Sequence, residues 1–161
     1  MSLEVESGVL LWKEKYEERM KLGAELMNKH LHDWTLRWNR SLRCNGQCSH
    51  FDKVIYVSKY HIEFASIDEF KNTILHEIAH AIAGFREGHG PEWVRIAKEI
   101  GCDGRRLCAV NSTKKEYLEK KSIHLRCPCG KAVLKRLRVT RALMSKVCNK
   151  CNGALSVFKP V

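Results

Sequence analysis

The sequence predicts an α+β fold in which helices pack on a short β-sheet, followed by a small β module. Three observations predict it. Helix-like amphipathic segments flank short runs of β-branched and aromatic residues; the charge balance changes abruptly near residue 113; and beyond that point four of the eight cysteines stand in two close pairs. With 161 residues, 44% hydrophobic and 29% charged, the chain has the composition of one folded body with an appendage and is too short for two full-sized domains.

Residues 9–30 place Leu10, Leu11, Tyr16, Met20, Leu26 and Met27 among Lys and Glu, the pattern of an amphipathic helix, with an interruption expected near Gly23. Residues 34–64 read as a small sheet. Its strands are expected at 34–38 and 53–60, joined through a Cys- and Gly-containing turn, with a further short strand at 61–64. Ser66 followed three residues later by Glu69 is a capping box, and Phe70, Ile74, Ile78 and Ala81 then recur at helical spacing, giving a helix over 66–84. Pro91 opens a second helix, 91–100, whose buried stripe is Trp93, Val94, Ala97 and Ile100 and which stops at Gly101. Residues 111–124 form a polar connector with helical character, so the domains are expected at 1–113 and 114–161. Met20 and Met27, together with Trp12, Trp34, Trp38 and Trp93, read as packing residues.

The chemistry lies in the first of these two helices. In His76-Glu77-Ile78-Ala79-His80 the imidazoles at i and i+4 project from one face, where both reach a single Zn2+ at a bond length of about 2.0–2.1 Å. Glu77 is placed to take a proton from a water rather than to bind metal, which is the arrangement of a hydrolytic zinc site. A catalytic zinc takes three protein ligands and keeps one position open. The third ligand is read as His89, which the short loop Gly88-His89-Gly90-Pro91 folds back toward the helix; Glu87 and Glu92 compete for that role. His30, His32, His50, His61 and His124 lack such spacing and are read as surface or core residues.

Cys127-x-Cys129 and Cys148-x2-Cys151, 18 residues apart, offer four thiolates on two turns, as a closed tetrahedral structural Zn2+ requires. So small a module would draw much of its folding free energy from the metal. Cys44, Cys48, Cys102 and Cys108 have no such pairing and are read as structural thiols. Without an export-type leader or a run of about 18 apolar residues, the protein is expected in the cytoplasm with reduced cysteines and no membrane partner.

Residues 1–113 hold 16 Lys+Arg against 16 Asp+Glu, whereas 114–161 hold 13 against 2, so the last 48 residues carry the entire net charge of +11. Clustered cations of this kind bind polyanions through counterion release. Lys131, Lys135, Arg136, Arg138, Arg141 and Lys146 are interspersed with Val133, Leu134, Leu137, Val139 and Leu143, as expected of ribbon strands with one packed face and one face toward DNA phosphates. Contact without sequence preference is expected, with nucleoid association as its consequence. Phe158 is read as packing at the ribbon's end.

Several motifs together resemble a known family. Trp38-Asn39-Arg40, Cys44-Asn45-Gly46-Gln47-Cys48, Ile74 to Ala81 and Gly88-His89-Gly90-Pro91-Glu92-Trp93 are similar to the SprT-like, or Spartan-type, zinc metalloproteases. Cys127-Pro128-Cys129-Gly130 and Cys148-Asn149-Lys150-Cys151 resemble the zinc ribbon that follows the bacterial SprT catalytic domain. The resemblance runs from about Trp34 to Leu155 and is to a minimal bacterial or phage form: the stretch from His80 to His89 is shorter than in eukaryotic Spartan proteins, and no counterpart of their long tail is expected.

It implies a zincin-like metallopeptidase domain with one catalytic zinc on His76, His80 and His89, Glu77 as general base, and one structural zinc on Cys127, Cys129, Cys148 and Cys151. It also implies protein substrates bound or crosslinked to DNA. An oxyanion-stabilising group is required, for which Arg40, Tyr56 and Tyr117 are candidates. Two other readings stay open from the residues: a non-proteolytic nucleic-acid-binding zinc protein, and a zinc hydrolase of a small amide.

Overall fold

In the computed structural model, which describes residues 3–106, 112–130, 133–136 and 138–158, the elements run α1 (Leu3–Asn28), β1 (Thr35–Asn39), β2 (Gly46–Ser49), β3 (Val54–Ser58), α2 (Lys59–Phe64), α3 (Ile67–Ala83) and α4 (Pro91–Glu99), then α5 (Ser112–Lys121), β4 (Ile123–Arg126), β5 (Val133–Arg136), α6 (Arg141–Met144) and β6 (Ser156–Phe158). They form two compact units, residues 1–111 and 112–161.

The sheet of the first unit has the order β1-β3-β2. Its middle strand β3, Val-Ile-Tyr-Val-Ser, is rich in β-branched residues and buries Val54, Ile55 and Val57, as a strand covered on both faces requires. β1 runs parallel to β3, with Leu36 opposite Ile55, and β2 antiparallel, with Cys48 opposite the same residue. The core joins Ile55 and Val57 to Phe70, Ile74 and Ile78 of α3 and to Trp93 and Ala97 of α4.

Helix α3 is held at both ends by the signals in its sequence. Ser66 Oγ accepts from the Glu69 N–H (3.1 Å) while the Glu69 carboxylate accepts from the Ser66 N–H (2.7 Å), and Gly84 terminates the helix at φ +92°. Helix α1 reinforces that start: the Lys15 ammonium donates to the Glu63 carbonyl (2.6 Å), and Arg19 donates to the Ser66 carbonyl (3.2 Å) while lying 5.6 Å from the centre of the Phe70 ring.

Two expectations are overturned here. Gly23 does not interrupt α1; it marks a close approach, since a Cβ there would stand 2.6 Å from Leu36 Cδ2 and 3.5 Å from Phe70 Cζ. Residues 61–64 are not a strand but the end of α2. Ser58 caps that helix, its Oγ accepting from the Tyr60 N–H (3.2 Å) and donating to the Ser41 carbonyl (2.5 Å), so the chain turns directly out of β3.

The second unit is an antiparallel sheet of order β5-β4-β6, with Leu125 flanked by Leu134 and Val157. Leu125, Leu143 and Leu155 pack with Cys127 and Cys148. The expected continuation of ribbon strands past residue 140 is replaced by α6, because Thr140 Oγ1 accepts from the Leu143 N–H (3.2 Å) and starts a helical turn. Helix α5 fills most of the expected connector. Lys131, Leu137 and Cys108 lie outside the described residues. Among the described residues no helix is long and apolar enough to cross a membrane.

Gly23→Leu would force a side chain between α1 and β1. It is expected to cost about 1–3 kcal/mol, read as a lower denaturant midpoint with an unchanged slope.

Candidate metal centre

Three ring nitrogens meet at one point. His76 and His80 occupy successive turns of α3, and His89 returns from the loop after Gly84, its Nε2 lying 3.1 Å from His76 Nε2 and 3.1 Å from His80 Nε2. Each neutral imidazole nitrogen carries either one proton or one lone pair, so His89 Nε2 cannot make ordinary hydrogen bonds to both of its neighbours at once. A cation relieves that conflict. Ligands bound at 2.0–2.1 Å in a tetrahedron stand about 3.4 Å apart, close to the separation found here, so the residues fit a zinc ion.

The rings rest on Trp93, which is fully buried. Its ring centre is 4.7 Å from that of His76, 5.2 Å from that of His80 and 4.6 Å from that of His89. In the sequence Trp93 reads only as a packing residue; its position three residues after Gly90, the N-cap of α4, is the signal that places it here. Burial, then the neighbouring His89, lowers the His76 pKa to about 4, with Asp103 acting in the opposite direction. Burial, then His76, His89 and His50, lowers His80 to about 4. His89 is lowered by burial and by Arg106. All three rings are thus held neutral, the state in which imidazole binds metal.

Glu77 is buried beside them, and burial raises its pKa to about 7 against a hydrogen bond from the Cys48 backbone N–H that favours the carboxylate. Strand β2 forms this wall. At Gly46 a Cβ would stand 2.7 Å from both Glu77 Cγ and Oε1, so only glycine leaves the carboxyl its place. Cys48 is a half-buried thiol whose pKa rises to about 12 through burial and the Glu77 charge, an inert group that supplies its backbone to the site. The sequence does not single out Gly46 or Cys48 for this role: the glycine is the one trace of the close approach, and the Cys48 contact is made by a backbone N–H that any residue but proline could supply.

The rival ligands are engaged elsewhere: Glu87 Oε1 accepts from the Glu92 N–H (3.1 Å) at the start of α4, and the Glu92 carboxylate holds Arg95 (2.6 Å). His50, read as a surface or core residue, lies close enough to influence His80 and stands edge-on to Trp34 (5.9 Å) and Phe85 (6.0 Å). Arg40 is exposed beyond β1, Tyr56 is half-buried in β3, and Tyr117 lies on α5 with Lys121 Nζ 5.8 Å from its ring centre. Cys44 is exposed, and Cys102 is buried against the Asn72 carbonyl.

In the second unit the sulfurs of Cys127, Cys129, Cys148 and Cys151 lie within 4.8 Å of one another, with 3.2 Å between Cys127 and Cys151 and 3.8 Å between Cys129 and Cys148. Four thiolates at about 2.3 Å from one ion stand about 3.8 Å apart, so this cluster also fits zinc. Backbone N–H groups of Lys150 and Cys151 lower the Cys148 thiol to about 6, and the tight turn at Gly130 (φ +70°) returns its N–H to the Cys127 carbonyl (2.9 Å). Of the expected DNA-contacting residues, Arg136, Arg138, Arg141 and Lys146 are exposed, whereas Lys135 pairs with Glu119 at 3.1 Å; Lys131 is not among the described residues.

Fold and site together define an α+β protein in which two histidines of a capped helix and one of the following loop could hold a metal ion, as could the four-cysteine cluster of the second unit. Residues 12–115, most of the chain, match the SprT-like family, and the chain belongs to that family, which is associated with zinc-metalloprotease function. No curated protein matches it.

The perturbed groups set the pH dependence of the metal-free protein. His76 and His80, lowered from 6.5 to about 4, leave the folded state with fewer protons than the unfolded chain, so their contribution is lost as pH falls through that window. Glu77, raised from 4.5 to about 7, works oppositely and loses stability as pH rises. The metal-free protein is therefore expected to melt at lower temperature as pH falls from 6.5 to 4, and Glu77→Gln, which removes the opposing group, to show a steeper fall; thermal unfolding at a series of pH values checks both.

Proposed function

We propose that the chain is a zinc-dependent peptidase that acts on proteins bound or crosslinked to DNA, with His76, His80 and His89 holding the catalytic ion and Glu77 as general base. The observation that carries the reading is the meeting of three neutral imidazoles beside a single buried carboxyl. Family membership supports the same chemistry. Bound at the three nitrogens, zinc would supply Lewis acidity toward a scissile carbonyl and toward water. Glu77 then takes the proton of the attacking water and returns it to the leaving amine. Its position against Gly46 and the hydrogen bond from Cys48 hold the carboxyl in one place, and its pKa near neutrality suits a group that both accepts and gives a proton. The second unit would bind a second, structural zinc on its four cysteines.

Glu77→Gln keeps the shape of the side chain and removes its basicity. Peptide hydrolysis is expected to fall about 10²–10⁴-fold while the zinc content, two ions per chain by elemental analysis, stays at the wild-type value. Unchanged turnover would sink the assignment.

The charge of residues 114–161 supports DNA as the partner that brings substrates to the site. Replacing both Arg138 and Arg141 by Glu in the full chain is expected to weaken DNA binding and to reduce the slope of log affinity against log salt by about 2. Hydrolysis of a free peptide in the absence of DNA is expected to be unaffected, which separates the binding role from the chemical one.

A further inference from the structure

Beside the three histidines lies a cleft of about 390 Å³ that the proposed chemistry does not use, lined by Gly88, His89, Trp93, Val94, Gly104 and Arg106. His89 and Trp93 belong also to the metal centre, so a group seated in the cleft is held against the same rings. Gly88 and Gly104 contribute no side chains, and both take positive φ (+59° and +70°), a conformation that resists substitution by larger residues. Val94 and the Trp93 ring make an apolar lining. Arg106 is the one residue of the six with a permanent charge, and among the described residues no carboxylate lines the cleft. Among the described residues Arg106 is exposed and has no ion-pair or hydrogen-bond partner, unlike Arg95, which holds both Glu92 (2.6 Å) and Glu99 (2.8 Å).

We infer that this cleft is a substrate subsite for a carboxylate of the peptide, with Arg106 as its counter-ion. The inference rests on the peptidase reading and names a feature of its substrate. A guanidinium presents a planar fork of donors that matches a carboxylate in two parallel hydrogen bonds. The apolar lining suits the methylene groups that carry such a carboxylate. Nucleic-acid phosphate fits less well, because a phosphate track engages several cations whereas the described lining of this cleft offers one, in a segment, residues 1–113, whose charges balance. The carboxylate has two possible sources, an Asp or Glu side chain or the free end of a chain.

The test uses the full zinc-loaded chain carrying Glu77→Gln, so that peptides bind without being cut. The probes are acetylated, amidated hexapeptides with Glu at one position in turn, each paired with its Gln counterpart, and the all-Gln peptide with a free C-terminus. Calorimetric titration is expected to show about tenfold tighter binding for a carboxylate peptide than for its neutral partner. Whether a Glu peptide or the free-terminus peptide gains identifies the source. Adding Arg106→Gln should abolish the difference while leaving zinc content and the affinity for neutral peptides unchanged, and Arg106→Lys should restore part of it. Equal binding of charged and neutral peptides, an equal loss for both in Arg106→Gln, or an effect of Arg106→Gln on DNA binding alone would overturn the inference. Wild-type cleavage of the same peptides separates the two ideas: discrimination in binding with no cleavage removes the peptidase reading and leaves the subsite, and cleavage without discrimination does the reverse.

Discussion

Three imidazole nitrogens aimed at one point are an unfavourable arrangement for a protein without a cation, and the rest of the first unit is organised to impose it. Two of the nitrogens are fixed by helical geometry alone, since i and i+4 share a face. The third depends on a chain reversal of a few residues, from Gly84 to Pro91, in which positive φ at Gly84 and Gly88 turns the backbone back on itself. Trp93 then fills the space under all three rings and prevents them from swinging apart. Burial keeps the rings unprotonated, so the scaffold supplies both the geometry and the charge state that a metal requires.

Placing the site also depends on the start of α3. Ser66 and Glu69 satisfy each other's backbone groups, and Arg19 and Lys15 of α1 add bonds to carbonyls at the junction with α2. A helix anchored in this way cannot slide along its axis, and a slide of one residue would rotate His76 and His80 by about 100° away from His89. The long α1, whose surface composition looks unremarkable in the sequence, thereby helps to set the position of the site.

What the sequence made legible is the part governed by local rules. The capping box, the i, i+4 histidines, the Pro91 start and the paired cysteines each express a constraint within a few residues, and the structure places them as read. The failures share a cause of the opposite kind. Residues 61–64 look like a strand by composition, but Ser58 and its contact with Ser41, 17 residues away, start a helix there. Gly23 looks like a break because the pattern of α1 does not reveal Leu36 beneath it. The wall around Glu77 is made of backbone atoms of β2, and the ring floor of Trp93 depends on how α4 crosses α3; both arise from tertiary packing that no local pattern encodes.

The close fit between Gly46 and Glu77 bears on how this protein can diverge. A wall made by side chains can be remodelled one substitution at a time, but here the limiting surface is the main chain of β2, which no point mutation removes. Gln47, exposed on the same strand, is free to drift, whereas any enlargement at its neighbour must be matched by relocating the strand itself. Variation among descendants of this sequence is therefore channelled toward the rim of the centre and away from its carboxylate side.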